Sequence, residues 1–108
     1  MTRGDVVVVA TRGAYTSKPR PAVVVQADAF NPTHASITIC PVTSDVVDAP
    51  MFRVALPATR RTGLDVPSQV MVDKIVSVPR KAVARVIGRL DAAELRTVSR
   101  ALRDWLAL

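Results

Sequence analysis

One cysteine, one histidine, four aromatic side chains and no long apolar run set the first limits on this sequence of 108 residues. A lone Cys40 rules out an intrachain disulfide and points to a reducing compartment. With only His34 beside it in the sequence, a structural zinc site lacks its ligands, and neither metal nor cofactor is expected. The longest apolar runs, such as Val6 to Ala10, fall short of a membrane span and of a signal-peptide core. The expectation is a soluble cytoplasmic protein. With so few aromatics, Val, Ala, Leu and Ile must fill the interior. Apolar residues make up 49% of the chain, enough for one hydrophobic core, so residues 1–108 are read as a single domain.

Charge is present in excess and is unevenly spread. The net charge is +6; residues 1–54 carry five basic and four acidic side chains, residues 55–108 carry ten and five. A basic half on a small domain attracts polyanions, nucleic acid first among them, while an acidic partner protein is the competing reading.

Short strands dominate the pattern. Asp5 to Ala10, Pro21 to Gln26, Ser36 to Val42 and Met51 to Leu56 read as four strands, the last two by apolar–polar alternation. Asn31-Pro32 marks a turn, and residues 57–65 form a polar loop turning at Gly63. Gln69 to Val78 has the β-branched content of a fifth strand, stopped by Pro79. Arg80 to Val83 is at most one helical turn, and Ala84 to Leu90 alternates as a sixth strand. Asp91 and Glu94 then stand at capping-box spacing before a helix. Its apolar face carries Leu95, Val98, Leu102 and Trp105, so Trp105 is expected in the core or in a dimer contact. Six strands and a C-terminal helix predict a mainly β fold, a small curved antiparallel barrel.

One stretch, SKPRPAVVVQ, holds Arg20 between Pro19 and Pro21 at the mouth of the second strand. Each proline fixes its own φ and drives the preceding residue into the extended region. Such a device either starts a strand or aims a cation. The segments RGDVVVV, KPRPAVVVQAD, CPVTS, GLDVPSQVMVDKIVSV and LDAAELRTVSRAL occur in one order along nearly the full chain. Together they resemble the MazF/PemK-type toxins of bacterial toxin–antitoxin pairs. The resemblance implies an SH3-like barrel of the CcdB/MazF type and a homodimer. It also implies a metal-independent endoribonuclease acting on single-stranded RNA and restrained by a cognate antitoxin. Arg20 and Thr43 match the family's catalytic positions; Tyr15, Ser17, Lys18, Ser44, Asp73 and Lys74 fall on its RNA-contacting side. The sequence departs from many members in lacking a glycine pair before Arg20 and in carrying Lys74 where glutamine is common.

The chemistry suits these residue types. Metal-free RNA cleavage by the ribose 2′-hydroxyl needs a proton acceptor, a proton donor and a cation for the charge gathering on phosphorus. An arginine fork can take two phosphate oxygens, but it is a poor proton acceptor. Arg20 is therefore expected to stabilise the transition state, and Thr43 to hydrogen-bond the scissile phosphate. The bland readings are a strand-opening surface arginine and a turn-forming threonine with Ser44 and Asp45. Imidazole titrates near neutrality, but His34 sits in a polar loop where a solvated side chain is the ordinary outcome. Arg60-Arg61 reads as solvated loop charge and Cys40 as an inert buried thiol. Two other functions compete: a binding-only toxin of the gyrase-poison type, and a non-catalytic RNA- or peptide-binding module. The first depends on C-terminal residues that the helical stripe predicts to be packed; the second needs an aromatic groove this chain lacks.

Overall fold

The computed structural model describes residues 1–10 and 18–108. The described residues hold seven strands: β1 (Asp5–Val9), β2 (Arg20–Val24), β3 (Ser36–Thr43), β4 (Arg53–Leu56), β5 (Ser68–Met71), β6 (Val76–Pro79) and β7 (Val83–Arg89). One α-helix among the described residues, α1 (Ala92–Leu106), follows. The antiparallel sheet runs β4-β5-β3-β2-β1-β7, with β6 paired to β3. Among the described residues no helix is long and apolar enough to cross a membrane.

Val6 to Val9 show why β1 is central. All four are buried, because strand alternation sends them to opposite faces and both faces are covered. Val6 joins Val23, Cys40, Val42, Val70 and Val98 in the core beneath α1. Val7 and Val9 join Ala22, Val24, Ile37, Ile39 and Val78 in a second core on the other face. At about 1.5–3 kcal/mol for each large apolar side chain removed from water, these valines supply the stability that aromatics supply elsewhere.

Two features depart from expectation. The fifth strand is broken into β5 and β6 by a 3-10 turn, Val72–Lys74. Val42 and Thr43 of β3 pair with β5, whereas Ser36 to Ile39 pair with β6. The register slips between the two ladders by three residues, the length of that turn. One segment thus lines both halves of a strand that bends. Nor does the sheet close into a barrel: β4 and β7 end its strand order, and the loop between β4 and β5 spans the gap. The Arg89 amide donates to the Arg61 carbonyl at 2.7 Å. Gly63 has a φ of +71°, and a Cβ there would meet the Ile87 carbonyl oxygen at 2.1 Å. A Cβ on Gly88 would meet the Arg61 carbonyl oxygen at 2.3 Å. Only glycines permit this crossing.

The helix is anchored to the same loop. The Asp91 carboxylate accepts from the Glu94 amide at 2.7 Å, and the Glu94 carboxylate accepts from the Asp91 amide at 2.9 Å, the capping box expected from the sequence. Arg61 bridges both acids and donates to the Arg89 carbonyl, so it is a structural clamp rather than solvated charge. These partners hold its guanidinium above the usual arginine range, the Glu94 hydrogen bond first. Trp105 is not core: it is half exposed and packs against Phe52 with ring centroids 5.8 Å apart. Leu106 and Leu108 are also exposed, so the C-terminal end presents apolar groups instead of packing them. Leu102 is the last residue of the helical stripe that packs against the core.

Candidate active site

Arg20 opens β2 and Thr43 closes β3. The β2–β3 ladder pairs Ala22 with Pro41 and Val23 with Cys40; carried two residues further, it brings Arg20 level with Thr43. Both side chains, with Ser44, line an open cleft of about 420 Å³. Pro19 and Pro21 line it as well, so the two residues that fix the backbone around Arg20 belong to the cleft wall. Arg20 is exposed, and among the described residues its guanidinium makes no hydrogen bond or ion pair.

Thr43 forms the turn foreseen for it. Its Oγ1 accepts from the Asp45 amide at 3.0 Å, which shapes the turn. A hydroxyl that accepts from below keeps its own hydrogen for another acceptor. The turn bond therefore orients the group without using up its donor.

The turn itself is held by residues that carried no signal in the sequence. Gln69, opposite Thr43 in the β3–β5 ladder, is buried. Its carboxamide accepts from the Val47 amide and donates to the Val47 carbonyl, at 3.1 and 2.8 Å. Arg53 donates through one Nη to Gln69 Oε1 at 3.0 Å and to the Asp45 carbonyl at 3.2 Å. A glutamine in a strand looks like any polar strand residue; only the ladder shows what it faces.

The cleft has two further walls. Val8, Val42, Leu64 and Ile87 give it an apolar floor, while Asp65 and Arg85 bring charge from the 57–67 loop and from β7. Lys18 is exposed and immediately precedes the Pro19 wall. Tyr15 and Ser17 lie outside the described residues. Asp73 and Lys74 are not brought to this cleft. They sit on the 3-10 turn that packs against α1, and Asp73 Oδ1 is buried without a hydrogen bond among the described residues. Cys40 lies behind the site, its thiol pushed up to about 12 by burial and, secondarily, by the charge of Asp73. It is an inert thiol, as expected. His34 is exposed, its Nδ1 accepting from the Ser36 amide at 3.0 Å, and it does not line the cleft.

Fold and cleft together define a small β protein with a cationic groove of the kind that takes a polyanion backbone. The chain belongs to the PemK-like, MazF-like toxins of type II toxin–antitoxin systems, whose family model matches residues 2–106. It is 42% identical over 108 residues to a probable endoribonuclease MazF from Mycolicibacterium smegmatis, covering 100% of this chain and 98% of that one. It is 39% identical over 102 residues to the endoribonuclease MazF9 of Mycobacterium tuberculosis, covering 90% and 86%. The crystal structure of a MazE–MazF form from Deinococcus radiodurans superposes with a TM-score of 0.85 at 28% identity, covering 100% of this chain and 97% of that one.

Proposed function

We propose that this chain is a sequence-specific endoribonuclease that cuts single-stranded RNA without a metal. The observation that carries the reading is that Arg20 and Thr43, from different strands, meet on one open cleft. The relatives named endoribonuclease, matched along nearly the whole chain, support it.

In the proposed reaction the ribose 2′-oxygen attacks the adjacent phosphorus and loses its proton. The bond from phosphorus to the 5′-oxygen breaks, and that oxygen takes up a proton. The products are a 2′,3′-cyclic phosphate and a 5′-hydroxyl. Arg20 meets the two non-bridging oxygens, where charge grows at the transition state, and the Thr43 hydroxyl donates to one of them. Lys18 and Ser44 flank these contacts, and Tyr15 and Ser17, which match the family's RNA-contacting positions in sequence, are read as RNA-binding too. The active form is a cytoplasmic homodimer; Asp73 and Lys74, off the Arg20 cleft, would meet RNA on another part of that assembly. Family membership brings a cognate antitoxin. An acidic or disordered segment of it, laid over a chain of net charge +6, would occupy the cleft and exclude RNA.

The test is incubation of the purified chain with a long defined RNA in EDTA, with fragment ends mapped. Discrete cuts with 5′-hydroxyl ends, lost in Arg20→Ala, are expected. RNA that stays intact, or cuts that persist undiminished in Arg20→Ala, would overturn the assignment.

A further inference from the structure

β7 brings a second arginine to the cleft from a part of the chain remote in sequence from Arg20. Arg85 lies opposite Val8 of β1, and Val8 lies opposite Pro21 of β2. Residues opposite one another in an antiparallel ladder project from the same face, and all three line the cleft. The β1–β7 pairing slips on both sides of this pair, between Val6 and Val7 and between Val8 and Val9. Bulges of this kind re-aim the side chains beside them. Like Arg20, Arg85 is exposed and makes no hydrogen bond or ion pair among the described residues. Arg3, Arg53, Arg61 and Arg80 instead each donate to protein acceptors.

Thr43, Arg20 and Arg85 thus stand on β3, β2 and β7, with β1 between the two arginines. Arg20 lies opposite Val9, one residue along β1 from Val8. The arginine backbones are therefore two strand spacings and one residue apart, about 10 Å, and the two residues meet as linings of the same cleft at the start of β2. That separation suits two successive phosphates better than one. Between them the floor is apolar, with Val8, Leu64 and Ile87 available to sugar and base faces. Asp65, also on the cleft, repels phosphate and leaves the arginine side as its track.

We propose that Arg85 holds a phosphate adjacent to the scissile one, so that the RNA backbone crosses the strands from β3 towards β7. This rests on the ribonuclease reading, but its test does not require cleavage. The probe is a single-stranded RNA oligonucleotide with 2′-O-methyl at every ribose, which cannot be cut. Binding is measured across a salt series for the wild type, Arg85→Ala, Arg85→Lys and, as a control on the exposed side of α1, Arg96→Ala. Arg85→Ala should weaken binding about tenfold or more, as for a lost charge-assisted contact. It should also flatten the plot of log affinity against log salt by about 0.7, the share of one phosphate on a single strand. Arg85→Lys should restore the slope, and Arg96→Ala should behave as wild type. Replacing phosphates singly by neutral methylphosphonate should reveal one position to which Arg85→Ala is insensitive, next to the position found for Arg20→Ala.

An Arg85→Ala protein matching Arg96→Ala in slope and affinity would overturn the proposal, as would both arginines mapping to one phosphate. If the wild type binds this probe but leaves unmodified RNA uncut, the ribonuclease reading falls while the slopes still judge Arg85. If it binds no RNA, both fall. Thermal melts confirm that the variants fold, as expected for a substitution at exposed Arg85.

Discussion

Gln69 grips Val47 by both backbone groups, accepting from its amide at 3.1 Å and donating to its carbonyl at 2.8 Å. A carboxamide used this way stands in for one residue of a neighbouring strand. It ties the chain after Thr43 to β5, and Arg53 adds a second tie at the Asp45 carbonyl. Thr43 is thereby held from both ends, by its own ladder and by the turn that follows.

Replacing this amide by a side chain of similar length with no comparable donor or acceptor, Gln69→Met, should release the turn. Val47 is 42% exposed, so water can take over its backbone groups and the stability loss should stay near 1–2 kcal/mol. Turnover should fall further, between about tenfold and 100-fold, because small misplacements at a reacting centre are costly. Thermal melts and single-turnover cleavage, run on the same preparation, separate the two. Lost stability with unchanged turnover would mean that the turn plays no part in placing Thr43.

Thr43 can be divided into its two roles by substitution. Thr43→Ser keeps the acceptor for the Asp45 amide and the hydroxyl hydrogen, so cleavage should stay within a few-fold of wild type. Thr43→Val keeps the shape and loses both. If the hydroxyl donates to the phosphate at the transition state, kcat should drop by about 10²- to 10³-fold, the usual cost of one such donor. A purely turn-forming threonine predicts instead a loss of about 1 kcal/mol in stability with kcat preserved.

These contacts also show where sequence reading succeeds and where it stops. Local signals were legible: the buried run Val6 to Val9, the Asp91–Glu94 box, the glycine turn at Gly63. Arg20 and Thr43 were legible through the motifs that contain them. The break at Val72 was not, because Val72 is buried and continues the apolar alternation through a turn that is not strand. Barrel closure was not, because it depends on how closely residues 61–63 cross β7, which no periodicity encodes. Arg85 and Gln69 share that difficulty: what matters about each is its ladder partner, Val8 or Thr43, from a distant part of the chain.

The crossing of β7 makes its own prediction. A Cβ at Gly88 would stand 2.3 Å from the Arg61 carbonyl oxygen and 2.4 Å from that of Thr62, both backbone atoms. Gly88→Ala must therefore push the loop off β7, break the Arg89–Arg61 hydrogen bond and disturb the Arg61 clamp on α1. Overpacking of this kind costs about 1–3 kcal/mol. For a domain near 100 residues the melting temperature should fall by roughly 4–8 °C for each kcal/mol. A melt within about 2 °C of wild type, below even the smallest of those shifts, would show that the loop can lift without loss.

The prolines around Arg20 test whether its backbone is pre-set for the reaction. Pro21 sits in the β1–β2 ladder opposite Val8, and Pro19 is exposed at the cleft edge. A proline at a compatible position stabilises a fold by about 0.4–1 kcal/mol, chiefly by narrowing the unfolded ensemble. Exchanging both for alanine should therefore cost at most about 2 kcal/mol in stability. If they also keep Arg20 from wandering before it meets the phosphate, kcat measured well below either melting point should fall by about tenfold or more. The KM for RNA should change little, since the lost restraint acts on the geometry of the transition state rather than on the bound charge. A lower melting temperature with kcat intact would leave the prolines with strand initiation alone. The guanidinium would then find the scissile phosphate by its side-chain contacts, with no help from the fixed backbone.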